Sequence, residues 1–180
     1  MATEGDHTVL SLDLGGSLGW CFVKNGTILH YGEVSLSRTD EHPGLRYIRF
    51  NNWLQKFKGV SEIFYERVEW LQKSRDAAHR YGGYVAVLQM FCLAYGIRCC
   101  SIPTSKVKSE FCGDEPGKRN KELMCKVAHK LGWKGGERGT DLQNNACDAI
   151  AIAWCLLKRH DIEPRFPEPP AGIGHNSEGA

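Results

Sequence analysis

One segment restricts the fold more than any other. From Asn144 to Trp154 the chain reads Asn-Asn-Ala-Cys-Asp-Ala-Ile-Ala-Ile-Ala-Trp, and once Asp148 is passed it is apolar on nearly every face of a helix. A helix that is apolar all round has to be covered on most sides. The last helix, read from about Asp141 to Arg159, therefore belongs in the interior, and the acid inside it demands a reason. An unpaired buried charge costs several kcal/mol or shifts its pKa until it is neutral, unless it is paired or binds a metal.

The rest of the chain supplies a sheet for that helix. Val9 to Leu14 is a short apolar run ending in glycines, Gly19 to Val23 is a second, and Thr27 to Val34 is a third. Between the last two, Lys24-Asn25-Gly26 is a hairpin turn, because Asn-Gly accepts the positive φ angles a tight turn needs. These three runs make an antiparallel meander. From Pro43 to Lys58 the period changes, with Leu45, Ile48, Leu54 and Phe57 on an amphipathic helix that Gly59 ends. Glu62 to Glu66 is a buried strand, Ser74 caps a long helix to Tyr95 stopped by Gly96, and Ile97 to Ile102 is a strand closed by Pro103. Thr104 to Phe111 and Lys118 to Leu131 read as further helices. The order predicts an α/β fold: a five-stranded mixed sheet, a three-strand antiparallel meander followed by β-α units, with helices on both faces.

At 180 residues the chain is expected to form one domain, residues 1–160. Beyond His160 the composition shifts to Pro and Gly, and residues 161–180 read as a disordered tail. The formal charge is only +2, but the tail holds four acids and one base. Residues 1–160 therefore carry 22 bases against 17 acids, +5. No run approaches the roughly 18 apolar residues of a membrane span, and the start of the chain lacks the basic and apolar stretches of a signal peptide, which points to a cytoplasmic protein. Six of the eight cysteines (Cys21, Cys92, Cys99, Cys100, Cys147, Cys155) interrupt apolar segments and read as reduced, small hydrophobes. Cys112, Cys125 and His129 lack a fourth ligand at zinc-site spacing.

Three acids stand where chemistry is plausible. Asp13 ends an apolar strand and is followed by Leu14-Gly15-Gly16-Ser17, so its carboxylate sits at a sheet edge beside backbone a ligand can approach closely; the plainer reading is a turn aspartate. Glu66 ends another strand, where turn chemistry prefers Asp, Asn or Gly. Asp148 follows Asp141 and Asn145 at i, i+4 and i+7, which puts three oxygen-bearing side chains on one stripe. Helix capping by Asp141 and a salt bridge from Asp148 to Lys or Arg is the alternative there. Hard oxygen ligands of this kind suit Mg²⁺ or Mn²⁺, and two such ions about 4 Å apart would clamp a phosphodiester for in-line attack by water.

The motifs, in order, are Leu12-Asp13-Leu14-Gly15 with Gly19-Trp20, Tyr65-Glu66, Ile102-Pro103-Thr104-Ser105-Lys106-Val107-Lys108, Gly117-Lys118-Arg119-Asn120-Lys121, and Asn145-Ala146-Cys147-Asp148-Ala149. In this order and spacing the chain resembles the RuvC-type Holliday junction resolvases of the ribonuclease H-like superfamily, particularly the phage and prophage branch, over about residues 8 to 158. The resemblance implies a ribonuclease H-like fold and a metal-dependent endonuclease. It also implies a homodimer that resolves branched DNA (four-way junctions, forks), leaving 5′-phosphate and 3′-hydroxyl ends. It assigns metal binding and catalysis to Asp13, Glu66 and Asp148, with Asp13 bridging two ions. Where the family usually has a second acid, three residues before the last, this sequence has Asn145, whose amide oxygen can ligate Mg²⁺ without adding charge; Asp141 is the alternative fourth ligand. Where the bacterial members carry a junction-wedging aromatic, three residues after the strand acid, this sequence has Glu69, and Trp70 is the neighbouring candidate.

Charge locates the DNA-binding surface. Residues 101–140 hold nine bases and five acids, most of the domain's excess. Lys118, Arg119 and Lys121 stand at a helix start, where free amides already favour phosphate, and Lys106 and Lys108 precede them; an ordinary solvated face is the plain alternative. Two other functions compete. The first motif also looks like the phosphate loop of actin-like sugar kinases, but those need two such domains. A non-catalytic branched-DNA-binding module that keeps the fold is the second, and Asn145 and Glu69 are the features that favour it.

Overall fold

A computed structural model describes residues 6–68, 74–113, 121–134 and 144–167. The meander is present as β1 (Thr8–Asp13), β2 (Ser17–Lys24) and β3 (Thr27–Ser35), all antiparallel neighbours. Asn25 (φ 48°) and Gly26 (φ 79°) form the tight turn between β2 and β3, both in the left-handed region that such a hairpin requires. Helix α1 (Leu45–Leu54) runs into a 3₁₀ turn and leads to β4 (Glu62–Arg67); α2 (Arg75–Tyr95) leads to β5 (Arg98–Pro103). Three helices follow, α3 (Thr104–Cys112), α4 (Lys121–Lys130) and α5 (Asn144–Arg159). The sheet order is β3-β2-β1-β4-β5, with β1, β4 and β5 parallel. The mixed five-stranded sheet expected from the element order is therefore the observed one.

Local chemistry sets the element ends. Ser74 Oγ accepts the Ala77 N–H (3.2 Å) at the start of α2, and Gly96 at φ 64° closes its far end. Midway, Gly83 lies against the Tyr47 ring of α1; a Cβ there would sit 2.4 Å from Tyr47 Cζ, so glycine lets the two helices cross. Alternation along β1 divides the core. Leu10 and Leu12 join Phe50, Leu54, Tyr84 and Leu88 under α1 and α2, while Val9 joins Ile150, Ile152 and Leu156 under α5.

Helix α5 is buried as its composition requires. Every residue from Ala149 to Ala153 is 0% exposed, and the small alanines let it lie close on the sheet. Ser11, buried in the middle of β1, donates to the Ala149 carbonyl at 2.7 Å and to the Cys21 carbonyl at 3.3 Å. That hydroxyl ties the helix to β1 directly beside Asp148.

The chain stays docked past the expected domain end at residue 160. Ile28 N–H donates to the Arg165 carbonyl (2.8 Å), Arg165 N–H donates to the Gly26 carbonyl (3.1 Å), and Phe166 meets the edge of Tyr31. Residues 161–167 thus pack along the β2–β3 hairpin, with Pro164 and Pro167 favouring an extended path; residues 168–180 lie outside the described residues. All eight cysteines are free thiols. His129 is engaged by the Trp133 carbonyl (2.8 Å), and no zinc constellation exists among the described residues. No helix among the described residues is long and apolar enough to cross a membrane.

Candidate active site

The carboxyl ends of β1 and β4 are adjacent and parallel, with Leu12 opposite Tyr65. This register brings Asp13 and Glu66, the last inward residues of the two strands, to one edge of the sheet. Asp148 comes down from the first turns of α5, because Ser11 fixes Ala149 over β1. The three acids line one cavity of about 230 Å³ with Thr104, Val107, Lys108, Lys121, Met124 and Asn145. Backbone contacts hold the end of β4 in place: Tyr81 O–H donates to the Glu66 carbonyl (2.9 Å) and accepts the Val68 N–H (3.3 Å). The hydroxyl of Thr104, the first residue of α3, donates to the Arg67 carbonyl (3.4 Å), and Thr104 also lowers the neighbouring Glu66 carboxyl.

The acids repel one another and compete for protons. Burial, then the charges of Asp148 and Glu66, holds the Asp13 carboxyl well above the usual aspartate range. The contact between the two carboxyls pushes Asp13 up and Glu66 down. Burial raises Glu66 as well; Thr104 and Lys108 pull it down, and Asp148 pushes it up. Burial raises Asp148, Lys121 and Lys108 oppose that, and Glu33 adds to it. Burial would lower the Lys121 ammonium, but Asp148 and then Asp13 hold it above its ordinary value.

Lys121 answers the salt-bridge alternative for Asp148. Its Nζ lies 3.2 Å from Asp148 Oδ2 and donates to Asn145 Oδ1 at 3.3 Å. Among the described residues no three His, Cys, Asp or Glu side chains are already drawn into a metal-holding group. Asp148 is turned to Lys121, and Asp13 to Glu66. The donor set nonetheless fits a hard divalent cation. Three carboxylates and an amide oxygen, opposed by the ammonium groups of Lys121 and Lys108, are the oxygen ligands that Mg²⁺ and Mn²⁺ select.

Of the residues singled out in the sequence, Asp13, Glu66, Asp148, Asn145, Lys108 and Lys121 meet in this cavity. Lys106 is exposed on α3 and does not line it. Asp141, Lys118, Arg119, Glu69 and Trp70 lie outside the described residues. Three residues were missed. Tyr81 and Ser11 act through backbone carbonyls, which sequence does not reveal, and Glu33 on β3 accepts the Asn145 N–H at 2.8 Å from 112 residues away. An acid on an edge strand reads as a solvated charge until the register is known.

No family model matches the sequence, and no curated protein matches it. Solved structures with a similar fold include RuvC of T. thermophilus in complex with Holliday junction substrate. It is 20% identical with a TM-score of 0.63, over 82% of this chain and 90% of that chain. A Thermus thermophilus RuvC structure is 19% identical with a TM-score of 0.61, over 86% and 96%. The yeast mitochondrial Holliday junction resolvase Ydc2 is 17% identical with a TM-score of 0.64, over 84% and 80%. With TM-scores of 0.61 to 0.64 over at least 80% of each chain, this chain has the fold of the RuvC-type Holliday junction resolvases.

Proposed function

We propose that the chain is a divalent-metal-dependent endonuclease that resolves Holliday junctions or other branched DNA in the cytoplasm, acting as a homodimer. The observation that carries this reading is the meeting of Asp13, Glu66 and Asp148 in one cavity with Lys108 and Lys121, on a fold that known junction resolvases also have.

Asp13, Glu66 and Asp148 would hold the metal, with Asn145 or Asp141 as a further oxygen donor; two ions per site is the expected number. Bound there, Mg²⁺ or Mn²⁺ supplies Lewis-acid stabilisation of the charge that develops on a phosphodiester during hydrolysis. Asp13, which feels the charges of both Asp148 and Glu66, would be the ligand common to the site. Lys121 compensates Asp148 and is about half exposed on its own helix; were Asp148 to hold a cation, the Lys121 ammonium would be available to a phosphate. Lys108 reaches the same cavity from α3 and fixes the scissile group from the other side. Lys106, with Lys118 and Arg119 by their place in the sequence, would add positive charge for the DNA backbone, and Trp70 is the aromatic next in sequence to the expected junction-wedging position. Hydrolysis of the phosphodiester leaves 5′-phosphate and 3′-hydroxyl ends.

The homodimer has a physical basis in α2. Gly82, Ala86, Met90 and Leu93 recur at i, i+4, i+8 and i+11, all exposed, with Met90 at 71% and Leu93 at 86%. A stripe of this kind is suited to a second copy of the same helix.

A binding module that keeps the fold without cleavage is the second reading. Lys121 against Asp148, where a cation would otherwise sit, favours it. The discriminating experiment offers a four-way junction, a fork, linear duplex and single-stranded DNA in Mg²⁺ or Mn²⁺, with sedimentation alongside. Metal-dependent cutting of branched substrates by a dimer is the expected result. Binding without cutting would establish the module, and a monomer throughout would remove the dimer.

A further inference from the structure

The proposed site stands one acid short of the pattern it resembles, because Asn145 occupies a position where a carboxylate is usual. The missing charge has a source elsewhere in the fold. Asp13 pairs with Gly19 across β1 and β2, and Gly19 pairs with Glu33 across β2 and β3. Directly opposed residues share a face, so Asp13, Gly19 and Glu33 form one row across three strands. The middle of that row is bare, and the first turn of α5 fills it. A Cβ on Gly19 would stand 2.0 Å from the Asn145 carbonyl oxygen.

Glu33 holds that turn from the far side. Its Oε1 accepts the Asn145 N–H at 2.8 Å and its Oε2 accepts the Ser17 hydroxyl at 3.0 Å. Caps on helix starts usually come from the residue just before the helix; here the acceptor is supplied by an edge strand. The same helical turn carries Asn145 Oδ1 and Asp148 Oδ2, both on Lys121. Glu33 is thus linked to Asp148 through Asn145 and Lys121, and its charge is felt at the Asp148 carboxyl.

We propose that Glu33 is a positioning residue of this active site, seating the first turn of α5 over Gly19 and lending the site the negative charge that Asn145 does not carry. This rests on the nuclease reading for the chemistry, but its test does not. Glu33→Gln keeps an oxygen for the Asn145 N–H, removes the charge and turns the Ser17 contact round so that the amide donates to the hydroxyl, and Glu33→Gln/Asn145→Asp returns one charge to the turn.

Mn²⁺ binding to the DNA-free protein, read by electron paramagnetic resonance, is compared for wild type and both variants, with junction cleavage measured in parallel. Groups that orient and charge metal ligands typically change affinity by roughly 10- to 100-fold when removed. Glu33→Gln is expected to weaken Mn²⁺ binding by that factor at an unchanged melting temperature, and the double variant to recover most of it. Equal Mn²⁺ binding by wild type and Glu33→Gln, including none by either, overturns the proposal, as does weakening that the relocated charge fails to restore. Weakened and restored binding with no cleavage by any protein sustains Glu33 in this role and overturns the nuclease reading instead.

Discussion

Glu62 and Glu66 stand four residues apart on the same face of β4, and their surroundings are opposites. Glu62, 1% exposed, is met at Oε2 by the Arg98 guanidinium at 2.7 Å, with the imidazoles of His160 and His7 at 3.7 and 4.0 Å. Glu66, less buried, faces two other acids and borrows relief from Thr104 and Lys108. An acid that the fold surrounds with basic groups of its own is satisfied and holds elements together. An acid that the fold surrounds with more acid is left needing a cation from outside. Burial alone does not separate structure from function on this strand, since the more buried carboxylate is the structural one; the sign of the neighbours does.

The largest expected effect tests that contrast directly. Glu66→Gln should lower junction cleavage by about a thousandfold or more, since several kcal/mol of metal-borne stabilisation is at stake and each 1.36 kcal/mol is tenfold. Glu62→Gln should cut at close to the wild-type rate while losing about 1 kcal/mol of stability, because an amide still accepts from Arg98 but loses the charge-assisted part of that bond. Single-turnover rates and chemical denaturation of the two variants decide it, and equal losses of activity in both would break the distinction between the two ends of β4.

Gly19→Ala comes next. The added methyl would meet the backbone of Asn145, which cannot swing aside as a flexible side chain could. A destabilisation of about 3 kcal/mol is expected, with weaker cleavage, because the turn carrying Asn145 and Asp148 is lifted from the Asp13 row. Wild-type melting and activity would show that the seat of α5 is looser than the contacts imply.

The smallest effect is one of pH. Asp13 is held well above the usual aspartate range by burial and by Asp148 and Glu66, so the metal-free folded protein binds that proton more tightly than the unfolded chain does. The contribution of Asp13 to stability in chelator should therefore be fully present below the ordinary aspartate range and be lost as pH rises through the elevated folded value. Asp13→Asn should flatten that slope and melt a few degrees above wild type near neutral pH, as measured by thermal melts across pH. A parallel pH profile for the two proteins would count against a charge-frustrated cluster.

Much of this was legible before any coordinates. The sheet followed from three apolar runs, an Asn-Gly turn and the alternation of strands with capped helices. Glu66 and Asp148 stood out because each breaks an apolar segment where turn chemistry or solvation is a poor excuse, while Asp13, plainly read as a turn aspartate, joined them through its motif. The salt-bridge alternative for Asp148 proved to describe the same residue, since Lys121 pairs with it inside the cavity. What sequence did not disclose depends on register. Glu33 enters only when β1, β2 and β3 are aligned so that Gly19 lies between it and Asp13. The docking of residues 161–167 depends on a bridge between Thr27 and Arg165, a pairing no local pattern signals. Composition marked that segment as loose, and it is the shape of the hairpin beside it that holds it.

The central claim is that the cavity at the ends of β1 and β4 cuts DNA through its carboxylates. It is tested most directly by comparing wild type with Asp13→Asn on a labelled four-way junction in Mg²⁺ or Mn²⁺, with cleavage and binding measured on the same samples. Wild type is expected to cut the junction, and Asp13→Asn to bind it with similar affinity and leave it intact. Equal cleavage by the two proteins would contradict the site, and binding without cleavage by both would contradict the nuclease.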